Sequence, residues 1–120
     1  MRLELGHLPD RDLSPNKRLH YMRLHFAKHA AKEEAMALVL QQGRPDHPYE
    51  KAHIRITWVV KDKRRRDPDN LFASMKSCID GLVEVGLIED DSATHVSYTL
   101  RYERGEKDNT ILEVEEKEIG

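Results

Sequence analysis

Between Ala52 and Leu82 the apolar residues change their repeat, and that change limits what the chain can fold into. From Ala52 through Ile54, Ile56, Trp58 and Val60 every second residue is apolar, the signature of a strand with one buried face. From Asn70 onward Leu71, Met75, Cys78, Ile79 and Leu82 recur at helical steps, so one side of that helix belongs to a core. A strand that passes through a short polar link into an amphipathic helix needs a second layer to cover both apolar faces, which points to a mixed sheet with helices on it.

The flanking segments extend this pattern. Leu3, Leu5 and Leu8 make residues 1–8 a short edge strand. Ser14 and Pro15 suit a helix start, and a long helix is expected over residues 17–42, with Leu19, Met22, Phe26, Ala30, Ala37 and Leu40 among its apolar positions. Gly43 to Pro48 ends it. Val96, Tyr98, Leu100 and Tyr102 alternate as another strand, Gly105 to Asn109 form a turn, and Ile111 to Val114 a further strand, an arrangement that reads as a hairpin. The expected class is α/β in the mixed α+β sense: one domain over residues 1–120, with a small mixed β-sheet packed with two main helices.

A chain of 120 residues buries roughly two thirds of its unfolded surface, enough for one independent core. With 38% hydrophobic and 35% charged residues that core is thin, or is completed by a second copy. Cys78 is the single cysteine, so no intrachain disulfide forms, in keeping with a reducing, cytoplasmic setting. No apolar run approaches the roughly 18 residues of a membrane span, and no secretory leader is evident. The net charge of −2 does not announce a nucleic-acid binder, but the local distribution does. Lys61, Lys63, Arg64, Arg65 and Arg66 form a basic run directly ahead of an acidic cluster, and such a stripe matters more than the sum.

The acidic cluster carries the chemistry. Pro68 fixes its own φ and disfavours a helical Asp67, so Asp67-Pro68-Asp69 is expected to be extended, with both carboxylates on one face. Adjacent carboxylates repel, and a divalent cation stabilises both as anions. Oxygen donors favour Mg²⁺, with Mn²⁺ as a substitute, over zinc. Asp69 suits the helix N-cap. Lys76 lies close to two turns further on, near the same azimuth, and Asp80 follows it at i+4. Gly86 is expected to end the helix, and Leu87-Ile88 then delivers Glu89, Asp90 and Asp91, where the acidic pair is the natural third ligand source.

The order Arg66-Asp67-x-Asp69-Asn70, then Lys76, Asp80-Gly81-Leu82, an apolar stretch and Asp90-Asp91 resembles the RusA family of Holliday junction resolvases, small structure-selective endodeoxyribonucleases. The match is strong over the central quarter of the chain and elsewhere holds only in layout. The resemblance implies a RusA-like, homodimeric fold in which Asp67, Asp69 and Asp91 bind catalytic Mg²⁺. It gives Lys76 a role at the phosphate and Asp90 a secondary place among the metal ligands. Lys63 and Arg64 to Arg66 would contact DNA, joined by Asn70 and, through the segment Ser14-Pro15-Asn16-Lys17-Arg18, by Asn16, Lys17 and Arg18. In some members of the family the lysine follows the second aspartate more closely; counting back from Asp91 aligns Lys76.

The expected activity is Mg²⁺-dependent resolution of four-way DNA junctions by paired symmetric nicks, leaving 5′-phosphate ends. The alternatives are a nuclease acting more broadly on flaps or forks, and a noncatalytic junction-binding protein. Each group also has a plainer reading. Asp67 and Asp69 can serve only as turn and cap, Asp80 only as the surface partner of Lys76, and the basic run only as a solvated strand end. His20, His25 and His29 step by five and four, so the three do not share one helix face and are poor metal ligands; the RusA resemblance instead implies that His20 lines the DNA surface with Asn16, Lys17 and Arg18. His95 reads as a hydrogen-bonded strand histidine, and Met75 and Cys78 as packing residues.

Overall fold

The computed structural model of the chain describes residues 1–15 and 20–118. Strands β1 (Arg2–Glu4), β2 (Ala52–Val60), β3 (Val96–Arg104) and β4 (Asn109–Glu116) form one mixed sheet in the order β1-β4-β2-β3. Helices α1 (Tyr21–Gln42), α2 (Pro68–Ala73) and α3 (Lys76–Glu84) complete an α+β fold. Among the described residues no helix is long and apolar enough to cross a membrane.

The alternation in β2 works as expected: Ala52, Ile54, Ile56, Trp58 and Val60 are all buried. Trp58 Nε1 finds no hydrogen-bond partner among the described residues. The expected hairpin between β3 and β4 does not form. β3 pairs with β2 in parallel, β4 pairs with β2 antiparallel, and β2 separates the two. Alternation specifies which face of a strand is buried and not which strand lies beside it. Here the most apolar strand takes the centre, where both of its edges are hydrogen-bonded. The turn after β3 therefore crosses the end of β2, with Gly105 N donating to Val60 O at 2.9 Å and Lys61 N to Asp108 Oδ1 at 3.0 Å. β3 is left at an edge, and its far half is open, with Leu100 and Tyr102 exposed.

The single helix expected after Asn70 is two. Asn70 O accepts both the backbone N of Ser74 at 3.1 Å and its Oγ at 2.9 Å, and Met75 N turns back to Phe72 O at 2.9 Å. A serine hydroxyl bonded to the i−4 carbonyl bends a helix, and the chain restarts at Lys76. The apolar side survives the break, since Met75, Cys78, Ile79 and Leu82 are buried. Gly86, at φ +86°, ends α3 as expected. Gly86 N bonds Val83 O and Leu87 N bonds Leu82 O, the paired contacts of a left-handed helix stop.

α1 reaches the core through Ala27, Ala35 and Val39, while Met22, Phe26 and Leu40 are exposed. The small residues are a condition of close helix packing. A Cβ on Gly81 of α3 would stand 2.6 Å from Lys32 O and 3.2 Å from Ala35 Cβ, so the two backbones approach nearly to contact. That approach fixes α3, and with it Lys76 and Asp80, against α1.

Candidate active site

All the candidate acidic residues lie on the crossover between the parallel strands β2 and β3. The helix begins one residue pair earlier than expected. Asp67 is the extended cap residue, at φ −94° and ψ 129°, Pro68 is the first helical residue, and Asp69 sits in the first turn of α2. Proline's fixed φ is already helical and restrains only the residue before it, so Asp67 is extended and Asp69 is not. The two carboxylates consequently do not alternate along one extended face, and Asp69 is not the N-cap.

The contacts divide these residues into two groups. On one side of α2, Asp67 Oδ1 faces Arg65 Nε at 3.4 Å and borders a polar groove with Arg64, Asn70 and Leu71. On the other, Lys76 Nζ donates to Asp80 Oδ1 at 2.6 Å and to Asp91 Oδ2 at 2.8 Å. Lys76 and Asp91 line a hollow with Phe72 and Tyr98, whose rings meet edge to face at 4.8 Å. Asp69 is exposed, and among the described residues no hydrogen bond or ion pair ties Asp67 or Asp69 to the Lys76 group. Nor do any three carboxylate, imidazole or thiol groups there gather within reach of one ion.

The electrostatics follow from this geometry. Two carboxylates on one ammonium stabilise its charged form, so the Lys76 pKa is raised, first by Asp80 and then by Asp91. The reciprocal bond from Lys76 holds Asp91 below its ordinary value. Burial raises Tyr98, and the nearby Asp91 charge adds to it. Asp80, equally open to reading as a surface ion-pair partner, is thus part of the same cluster as Asp91. Asp90 has a different occupation. Its Oδ1 accepts the backbone N of Asp91 at 2.9 Å, which shapes the turn that presents Asp91. That turn is anchored upstream, where Tyr49 N bonds Leu87 O and Glu89 N bonds Tyr49 O, both at 2.9 Å. His95 is satisfied by Ser92 Oγ at 2.7 Å, as expected, although it sits in the turn ahead of β3.

The basic run also splits. Lys63, Arg64 and Arg65 are exposed. Arg66 instead forms a bidentate pair with Asp62, at 2.7 and 3.1 Å, and donates to Tyr102 Oη at 3.3 Å. Asp62 also accepts the backbone N of Arg64 at 3.1 Å, and with Arg66 this holds its carboxyl down at about 2. Arg66 is therefore a buckle that fixes the loop between β2 and α2. Asn16, Lys17 and Arg18 lie outside the described residues. His20 caps α1, its Nδ1 accepting Met22 N at 3.2 Å.

Two parts of the site carry weak sequence signals. Phe72 and Tyr98 face each other across the hollow, and only the alternation of β3 pointed to Tyr98. On the neighbouring α1 the rings of Tyr21, His25 and His29 stack in series at 6.1 and 6.5 Å, marked in the sequence only by Tyr21 standing four residues before His25 just as His25 stands four before His29. Comparison with protein-family models and with curated proteins finds no match for this chain.

Proposed function

We propose that the protein is a divalent-metal-dependent endodeoxyribonuclease of the RusA type that cuts branched DNA, four-way junctions above all. The observation that carries the reading is the surface cluster in which one ammonium, Lys76, bridges Asp80 and Asp91. It lies on the same short crossover as Asp67, Asp69 and the exposed Arg64 and Arg65. Carboxylates concentrated beside cations suit phosphodiester hydrolysis, because the anionic phosphate must be both attracted and charge-compensated.

Asp91, Asp67 and Asp69 are the residues to which the RusA resemblance gives Mg²⁺ or Mn²⁺, their oxygens being hard donors of the type those ions take, although among the described residues the three do not gather on one ion. When bound, the metal supplies an activated water and charge neutralisation at the leaving oxygen. The chain's own groups do the rest. Arg64 and Arg65 draw in the backbone, Lys76 brings a cation to the phosphate, and Asp90 holds the turn that presents Asp91. A homodimer would set two equivalent sites for paired nicks, each leaving a 5′-phosphate. The single buried cysteine accords with a reducing cytoplasm.

The separation of Asp67 from the Lys76 cluster favours a second reading, a noncatalytic protein that binds junctions. One experiment decides between them. Wild-type and Asp69→Asn proteins are incubated with a labelled four-way junction, a flap and a linear duplex, with and without Mg²⁺ or Mn²⁺. Metal-dependent paired nicks in the junction, made by the wild type alone, are expected. Nicks dominated by the flap would widen the substrate class, binding without cleavage would establish the noncatalytic reading, and an active Asp69→Asn protein would remove Asp69 from the site.

A further inference from the structure

The outer face of α1 exposes large rings that packing does not require. Tyr21 is 74% and Phe26 64% exposed, while the helix meets the core through Ala27, Ala35 and Val39. The exposed rings form a row. Tyr21 and His25 are nearly parallel with centroids 6.1 Å apart, and His25 and His29 repeat the arrangement at 6.5 Å. Phe26 turns its edge to His25 at 6.3 Å. Steps of four residues keep Tyr21, His25 and His29 on one side of the helix.

Two lysines run beside the row. His25, Lys28, His29 and Lys32 wall a groove closed on its far side by Ser77 and Asp80 of α3. Lys32 Nζ is held by Glu84 at 2.7 Å and His29 Nε2 lies 3.9 Å from Glu33, whereas Lys28 has no ion-pair partner among the described residues. Asp80 is the carboxylate bonded to Lys76, so the groove borders the Lys76 cluster.

We propose that the Tyr21–His25–His29 row is a stacking platform for unpaired bases of the DNA substrate, with Lys28 taking the adjoining phosphate. The inference rests on the nuclease reading and adds to it which part of a branched substrate the protein grips. Flat rings in series with interspersed cations bind single strands without regard to sequence, since every base has a face to stack. Fully paired duplex hides those faces, whereas flaps, forks and a branch point whose innermost pairs have opened expose them. A second copy of the chain is the competing occupant, but protein interfaces are depleted of lysine, and here Lys28 adjoins the rings.

The test compares wild type with a Tyr21→Ala/His25→Ala/His29→Ala variant, its fold checked by circular dichroism. Affinities are measured by anisotropy for labelled oligothymidylate, a blunt duplex and a four-way junction, and sedimentation gives the oligomeric state. The variant is expected to bind oligothymidylate and the junction at least about tenfold more weakly while its duplex affinity stays the same. Unchanged strand affinity, or an equal loss on duplex, overturns the platform. So does conversion of a wild-type dimer to a monomer, which would assign the face to a second copy. Junction cleavage by the wild type with unaltered strand binding in the variant removes the platform and leaves the nuclease standing. Selective loss of strand binding in a protein that cuts nothing does the reverse.

Discussion

Replacing Gly81 by alanine is expected to destabilise the fold even though alanine is the better helix former. In an open helix interior the change would gain about 1 kcal/mol. Here the new Cβ would stand 2.6 Å from Lys32 O, a backbone atom that cannot turn aside, and 3.2 Å from Ala35 Cβ. Overpacking of this kind costs typically about 1–3 kcal/mol, and a clash with backbone belongs at the upper end. The net loss is about 2 kcal/mol, which for a chain of this size lowers Tm by roughly 6–10 °C. Thermal melts of wild type and Gly81→Ala followed by circular dichroism provide the measurement. A variant that melts at or above the wild-type temperature would refute the close approach of α1 and α3 and, with it, the account of how Asp80 is positioned.

Two further outcomes are expected. Asp62 has its pKa lowered from 3.8 to about 2 by Arg66 and the Arg64 amide, so its contribution to stability is complete above the ordinary carboxylate value and is lost as pH falls through about 2. The Tm difference between wild type and Asp62→Asn should therefore be constant near neutral pH and close only in acid; a gap that instead opens in acid would contradict the sign. Within the basic run, Arg65→Ala should weaken junction binding and reduce the slope of log K against log salt by about 0.9 at unchanged Tm. Arg66→Ala should instead lower Tm through the lost Asp62 pair, and identical behaviour of the two variants would count against that division.

The parts of the fold that depend on local pattern were legible in the sequence. The five alternating residues of β2 are all buried, the core side of the helix after Asn70 is the one its spacing indicates, and Gly86 stops that helix. What the pattern did not contain is pairing and distance. No repeat within residues 96–114 reveals that β2 will lie between the two strands, because neighbour choice is settled by the whole sheet. α1 was misleading for a related reason. Its large apolar residues attract notice, but the buried positions are Ala27, Ala35 and Val39, and it is Ala35 that meets Gly81. In the site, charge runs were visible as runs, whereas the capture of Arg66 by Asp62 depends on the loop's path. The residues joining Lys76 were partly visible: Asp80 at i+4 could be read from spacing, Asp91 only through the segment that returns it.

The intervening position of β2 has a consequence for the order in which the molecule assembles. β2, α2, α3 and β3 are consecutive in the chain, and the parallel pairing of β2 with β3 uses the edge of β2 that β4 does not occupy. That stretch contains every residue of the Lys76 cluster and both flanking aspartates. During synthesis the pairing partner on one edge of β2 is available as soon as β3 emerges, while the opposite edge of β2, the most apolar strand, still waits for residues 109–116. A nascent or truncated chain would thus carry a complete set of site residues beside an unpaired strand edge, a ready template for association with another chain. The final strand holds none of the candidate site residues; it closes the edge of β2 that β3 leaves open.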